Sequence, residues 1–416
     1  MHTVVIGGGI IGLTTAYHLL QAGGTVTVVD ARATGLGAAD VNAGWVVPGD
    51  AMPLPGPGAV ANALKWMTRS DSPLYIRPSL KLDFLSFMFG MFRASNGRAQ
   101  RAGLEASLKL AEDSVHLFDD YRADGMDYEL HHEGMLMAFQ DQELMGHHLG
   151  YVDLTSRFGL EPTVLLGDDV RAHEPLLNDS VRGGLYYPKD LHLDPGAFTK
   201  ALVARLRALG AEIVENAPID GAEVRDGRVR SVSSGARTFT GDAFLVAAGA
   251  WSGNVSKLFG AGVGIPIRPG KGYCIEMAPY GLRSATNLYD SKVAITPFDG
   301  RLRIAGTMEF GPLDETINQV RVQAILRAPS GWLRDWEPPT ATEISPRAGM
   351  RPMAPDGMAV LGRLRKLDNG YVATGHGMMG VTLAPGTARV MTDLILHGRE
   401  NAVLDPFSPA RFRGGR

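Results

Sequence analysis

Apolar residues along this chain fall into distinct periodicities. Residues 3–6, "TVVI", and 25–30, "TVTVVD", are β-branched runs, and between them "IIGLTTAYHLLQAG" repeats apolar positions at helical spacing until Gly23 and Gly24. That order predicts strand, helix, strand. Helical spacing returns over 103–125 and over 194–216, the latter opened by Asp194 and Pro195, closed by Gly210 and followed by a strand. "DAFLVAAGAWS", 242–252, is a strand that runs into small residues at Ala247, Ala248 and Gly249. From 265 to 310 the pattern changes to alternating runs, "KGYCIEM", "KVAITPF" and "LRIAGTM", separated by Gly and Asp turns, which predicts an antiparallel sheet outside the first unit. Residues 369–396 then repeat the logic of the N-terminus with a strand, a glycine-rich loop and a helix, whereas the Pro/Gly-rich "GDAMPLPGPG", 49–58, reads as a linker.

The predicted fold class is therefore α/β. A Rossmann-like domain drawn from 1–48, 153–265 and 346–400 is interleaved with an α+β domain built on an antiparallel sheet from 49–152 and 266–345, and 401–416 form a tail.

Composition narrows the class. A length of 416 residues suggests two domains, and 45% hydrophobic with 20% charged residues is an ordinary globular mix. A net charge of −3 gives no polybasic footprint, so nucleic acid is not an expected partner. The single cysteine, Cys274, leaves no internal disulfide and no multi-cysteine metal site, which fits a reducing cytoplasm. The chain enters its first strand at once and holds no run of 18 apolar residues, so neither a leader nor a membrane span is expected. "LDFLSFMFGMF", 82–92, with Arg93 and Arg98 just beyond, is expected to bury against the protein or a second subunit; the alternative is peripheral association with the inner face of a membrane. The pairs His131 and His132, and His147 and His148, lack a further ligand at suitable spacing, so no metal is expected.

The candidate chemistry begins at "GGGIIG". Gly7, Gly9 and Gly12 after a strand, a helix starting at Ile10 and Ile11, and Asp30 ending the next strand are what a dinucleotide cradle requires. Gly7 allows the turn, Gly9 lets the backbone approach a pyrophosphate, and Gly12 lets helix and strand pack closely. The helix N-terminus offers free N–H donors, and Asp30 accepts from ribose hydroxyls, with Ala31 and Arg32 beside it. A second glycine-rich strand–loop–helix at the far end of the chain favours FAD, held from both ends, over a nicotinamide. The final helix would then point its N-terminus at the edge of the flavin where negative charge gathers on reduction.

These residues resemble the D-amino-acid oxidase-like flavoproteins, most closely the small subunits of D-amino-acid dehydrogenases. The likeness covers nearly the whole chain. It rests on "GGGIIG" with Asp30, "NAGWVVPG" (42–49), "KWM" (65–67), "PLYIRP" (73–78), "RPGKGY" (268–273), "KVAITPFDGRLRIAGTMEF" (292–310), "GMRPMAPDG" (349–357) and "GHGMMG" (375–380). The resemblance implies non-covalent FAD and oxidation of the Cα–N bond of a D-amino acid to an imino acid, which water converts to a 2-oxo acid and ammonia. Electrons then pass to oxygen, a quinone or a redox partner.

Carried over by position, Arg351 resembles the arginine that pairs with the substrate carboxylate, a role suited to its planar two-pronged guanidinium. Asn42, Ala43 and Gly44, together with Gly375, His376, Gly377, Met378, Met379, Gly380 and Val381, resemble flavin-contacting loops, and Ala248 and Gly249 lie at the cradle. His376 is a further candidate for catalysis. Tyr273 either caps the substrate pocket or fills the sheet, Lys271 is a solvated strand residue or a neighbour of the flavin, and Arg347 is read as solvent-facing. Ala38 and Ala39 stand where relatives tend to carry a hydroxyl, and Gly349 near where sarcosine-type relatives carry a flavin-linked cysteine. Two other functions share parts of this pattern: oxidation of a secondary amine, or of glycine, sarcosine or hydroxyproline, and an electron-transfer or assembly subunit. The latter has no use for a carboxylate clamp.

Overall fold

The computed structural model describes residues 1–58, 72–260 and 263–412. "KWM" lies outside them. The β-branched runs at the N-terminus form the centre of a six-stranded sheet, because Val4, Val5, Val28 and Val29 are covered on both faces and are at most 1% exposed. Its order is Glu212–Val214, Thr25–Val29, His2–Ile6, Ala243–Val246, Gly370–Thr374 and Val360–Arg363. The first five strands are parallel, with Val5 facing Val28 and Leu245, and the last pairs antiparallel. Helices Ile10–Gln21, Pro195–Ala208 and Gly380–His397 pack together on one face through Leu13, Leu202, Ala384 and Met391. Asp194 caps the second of these, accepting from the backbone N–H groups of Gly196 and Ala197, as its sequence predicts.

A second sheet of nine strands carries the period-two segments. Ser345–Met353, Arg268–Met277, Arg301–Phe310, Val293–Phe298, Ala285–Leu288, Met135–Phe139, Gly183–Tyr187 and Thr163–Leu166 lie side by side, and Leu74–Ile76 pairs with Arg301–Phe310. Three of these were expected in the nucleotide unit. Thr163–Leu166, Gly183–Tyr187 and Ser345–Met353 belong to this sheet although the sequence reading gave 153–265 and 346–400 to the nucleotide unit. Their register explains it, since Met135–Phe139 and Arg268–Met277 each have a free edge that these strands complete.

The helical pattern over 103–125 is broken into Gly97–Leu110 and Ser114–Ala123. Between the helices Leu82–Ala94 and the nine-stranded sheet, Phe84 and Phe87 are buried against Met308, Phe310 and Met353. The opposite face, expected to be covered, is open: Leu82 is 84% exposed and Phe89 and Phe92 are each 60% exposed. No helix among the described residues is long and apolar enough to cross a membrane.

Candidate active site

A cavity of about 930 Å³ runs between the two sheets, at the upper end of the range for small-molecule sites. One end is built by the first strand–helix turn. Gly7 has φ +118°, and a Cβ there would lie 2.4 Å from the Ala247 carbonyl oxygen. Gly12 is equally confined, 2.0 Å from the Gly7 oxygen, so it shapes the turn from beneath and does not line the cavity. Gly9 is the opposite case. It caps helix Ile10–Gln21 and lines the cavity, and a Cβ added to it would meet nothing within 4 Å. That helix has no side-chain cap and no acid in its first turn, so its N–H groups and positive end face open space suited to a pyrophosphate.

Asp30 sits on the wall with one carboxylate oxygen accepting from Gly8 N at 2.6 Å and the other from Arg32 N at 2.7 Å. Burial raises its pKa. Each oxygen keeps a lone pair for a ribose hydroxyl. Ala31, Arg32, Ala248 and Gly249 line the same end, and Arg32 lies over the Trp251 ring at 5.1 Å. Trp251 and the segment Ala217, Pro218, Ile219 complete this wall. The sequence reading missed all four, and only Trp251 carried a signal, as the aromatic directly after the small-residue run at 247–250.

At the middle of the cavity the two chain ends meet. Asn42 and Ala43 line it, and the Asn42 side-chain amide donates to the Met378 carbonyl at 3.2 Å. Gly44 lies behind, where its φ of +87° and the Leu193 oxygen 2.2 Å from a would-be Cβ both require glycine. His376, Gly377, Met378, Met379, Gly380 and Val381 line the cavity above helix Gly380–His397, whose N-terminus also lacks a side-chain cap; Gly375 sits behind them. The His376 ring turns away into the protein. Its Nε2 is 3.0 Å from Thr387 Oγ1, its Nδ1 has no partner, and burial pulls its pKa down to about 3, so it is neutral and gives no acid or base near neutral pH.

Arg351 supplies the charge at the substrate end. It lies on Ser345–Met353 beside Gly270, lines the cavity, and its Nη1 donates to the Thr307 carbonyl at 2.6 Å. No carboxylate among the described residues pairs with it. Burial lowers its pKa to about 10, leaving it charged at neutral pH. Gly272 on the next strand is what gives it room, because a Cβ there would stand 1.9 Å from Nη1. Thr307 holds its carbonyl in place from φ +64°, a conformation a β-branched residue rarely adopts.

Three expectations are corrected. Tyr273 is 1% exposed and donates to Glu309 at 2.9 Å, so it fills the sheet and does not cap the cavity. Arg347 is not solvent-facing but pairs with Asp40 at 2.6 Å and Glu276 at 3.2 Å, in a network that includes the buried Arg303. The supposed linker 49–58 is cavity wall, contributing Asp50, Met52 and Pro53 among others. Lys271 donates to the Thr316 carbonyl at 3.0 Å and faces away from the cavity. Folding also brings His192 to His131 and Glu133; Glu133 stands two positions from His131 in sequence, and only His192 is a partner at long range that spacing did not reveal. The two imidazoles stack with planes 12° apart, a poor arrangement for directing both lone pairs at one ion. Further residues unmarked by sequence, Trp45, Asn287, Tyr289 and Lys292, line the substrate end.

A sequence profile of the DAO family, described as FAD dependent oxidoreductase, matches residues 2–394. The chain belongs to this family and is an FAD-dependent oxidoreductase. Among solved structures it is similar to glycine oxidase from Geobacillus kaustophilus, with a TM-score of 0.78 at 20% identity over 99% of each chain. Glycine oxidase from Bacillus cereus ATCC 14579 gives 0.74 at 23% over 97% of each. L-proline dehydrogenase from P. horikoshii gives 0.74 at 20%, over 99% of this chain and 97% of that one. At these identities the likeness is one of fold.

The cavity fits FAD on its own terms: an uncapped helix end at Gly9, open space where a Cβ would stand, and the neutral carboxylate-free floor at 376–381. Cys274, the single cysteine of the chain, is buried away from the cavity.

Proposed function

We propose that the protein oxidises the Cα–N bond of an amino acid, with a D-amino acid as the leading substrate class and FAD held without a covalent link. When bound, FAD accepts the hydride that leaves Cα. Everything else asked of the chain is positioning. Arg351, a cavity-facing guanidinium with no carboxylate of its own, is the observation that carries the reading: it is arranged to take the substrate carboxylate in two parallel hydrogen bonds. An amine arriving neutral needs no side-chain base, which agrees with a buried, neutral His376. Water then hydrolyses the released imino acid to the 2-oxo acid and ammonia.

The D-configuration is supported by the motifs of 292–310, 349–357 and 375–380. The named relatives are glycine oxidases and an L-proline dehydrogenase, so glycine or a secondary amine is the second reading, favoured by those fold neighbours. Anaerobic titration of the yellow protein separates them. D-amino acids should bleach the flavin, whereas bleaching by sarcosine or L-proline alone would select the second reading.

The open face of Leu82–Ala94, with Lys81 and Arg93 at its ends, supports docking on an anionic lipid surface as the finer statement of location. Sedimentation with phosphatidylglycerol vesicles, lost in Phe89→Asp/Phe92→Asp and absent with phosphatidylcholine, is the expected result. Equal recovery of wild type and variant in the supernatant would refute it.

A further inference from the structure

Among the described residues, two cations line the substrate end of the cavity without forming an ion pair, Arg351 and a second. The second is Lys292, in the turn between Ala285–Leu288 and Val293–Phe298. The antiparallel pairing of Val293 with Gly306 sets Lys292 opposite Thr307, the residue whose carbonyl holds Arg351. A Cβ on Gly306 would lie 3.5 Å from the Lys292 carbonyl oxygen, so the two backbones are in contact. Both residues adopt positive φ, +55° at Lys292 and +64° at Thr307. Two neighbouring non-glycine residues in this sparsely populated region are costly, and such conformations concentrate at ligand sites. Here one is itself a cation on the cavity wall, and the other holds the Arg351 guanidinium on the same wall through its carbonyl.

The Lys292 ammonium sits 3.7 Å from the centre of the Tyr289 ring, which fixes its direction, and the Asn287 side chain lines the cavity beside it. No carboxylate among the described residues forms an ion pair with either Lys292 or Arg351. The cavity wall holds two carboxyl groups. Asp30 is committed to the far end through Gly8 and Arg32. Asp50 faces Lys292, but burial pushes its pKa up to about 7, so at neutral pH it cancels only part of the lysine charge and supplies a donor of its own when protonated. Burial lowers the Lys292 pKa while Asp50 and Asp290 act to raise it, and an apolar substrate side chain placed here would leave the ammonium further desolvated with only those two carboxyls to offset its charge, which is unfavourable.

We infer that the substrate carries a second carboxylate, bound by Lys292 while Arg351 holds the first, so that acidic amino acids or amines bearing two carboxylates are preferred. This rests on the reading of Arg351 as the carboxylate clamp. The first carboxylate fixes Cα, and the second sets which amine fits.

The test uses the holoenzyme under anaerobic conditions. Flavin reduction is compared for aspartate with asparagine and for glutamate with glutamine, in both enantiomers, and binding of succinate and glutarate is compared with butyrate from the shift in the flavin spectrum. Aspartate or glutamate should exceed its amide by about 10- to 100-fold in kcat/KM, the range expected of one charge-assisted contact. Dicarboxylates should bind correspondingly tighter than butyrate. Lys292→Met should bring both ratios close to one, and Lys292→Arg should restore part of each, which separates loss of recognition from loss of fold. If wild type treats acid and amide alike, or if Lys292→Met keeps the preference, the inference is overturned, and the Arg351 reading stands provided amino acids still outrun their decarboxylated amines. If no carboxylate-bearing amine reduces the flavin, the Arg351 reading falls and this inference with it.

Discussion

Gly272→Ala alters substrate recognition without touching a charged residue. The added Cβ would stand 1.9 Å from Arg351 Nη1, 2.2 Å from Cζ and 2.3 Å from Nη2. To restore ordinary van der Waals separation of about 3.4 Å the guanidinium must retreat by about 1.5 Å, which also breaks its 2.6 Å bond to the Thr307 carbonyl. Displacements of about 1 Å at a positioning group cost on the order of 100-fold in rate. The expected result is therefore a fall of about 100-fold in kcat/KM for amino acids, seen in stopped-flow flavin reduction mainly as a raised half-saturation concentration. Flavin content should be unchanged, because Gly272 is remote from the glycine turn. The loss should be far smaller for a decarboxylated amine, which never used the guanidinium. Normal reduction of amino acids by Gly272→Ala, or an equal loss for acid and amine, would refute the reasoning.

Other outcomes follow from the same geometry. Gly9→Ala should leave the apoprotein as stable as wild type but weaken FAD binding, since its Cβ meets only cavity space; Gly12→Ala should destabilise the fold by about 1–3 kcal/mol, because its Cβ meets the Gly7 oxygen. Denaturant titration of both apoproteins decides this, and equal stabilities would contradict it. Asp30→Ala should weaken FAD binding by roughly 10- to 100-fold, read by apoprotein titration, and unchanged affinity would remove Asp30 from the ribose end. His376 titrates near 3 in the folded protein and about 6.5 when unfolded. As pH falls through about 6.5 the unfolded chain takes up a proton that the folded chain refuses, so stability present above that value is lost at about 1.4 kcal/mol per unit towards pH 3. His376→Gln should reduce the slope of unfolding free energy against pH by that amount, and an unchanged slope would show that the ring is protonated in the fold.

The nucleotide end was readable because its chemistry is local. Strand, glycine turn, helix and Asp30 lie within the first 30 residues; Gly12 answers to Gly7 five positions away, although what confines Gly7 itself, the Ala247 carbonyl, comes from a distant strand. Arg351 was legible only through its motif, since what frees it, Gly272 and the Thr307 carbonyl, comes from two other strands. Tyr273 was ambiguous for a simple reason: alternation along a strand says which residues share a face but not which face meets the cavity. The one-residue shift between Lys271 and Tyr273 in the pairing with Arg301–Phe310 blurs even that. Trp251, Asp50 and Lys292 all lie in segments marked for other reasons, but they sit at turns, where no periodicity says which side chain meets a cavity. The apolar residues of 82–92 were marked for burial, but composition could not say that only Phe84 and Phe87 would be buried, with Met88 and Met91 partly covered beside them.

The central claim, that a carboxylate-bearing amine is held by Arg351 against FAD, is tested most directly by comparing an amino acid with its decarboxylated amine in wild type and Arg351→Ala. Removing one side of a buried charge pair costs about 2–5 kcal/mol, or roughly 30-fold to several-thousand-fold in kcat/KM. Wild type should reduce its flavin with the acid far faster than with the amine, and Arg351→Ala, with full flavin content, should lose that preference. Equal rates for acid and amine in wild type, or normal reduction by the acid in Arg351→Ala, would contradict the account.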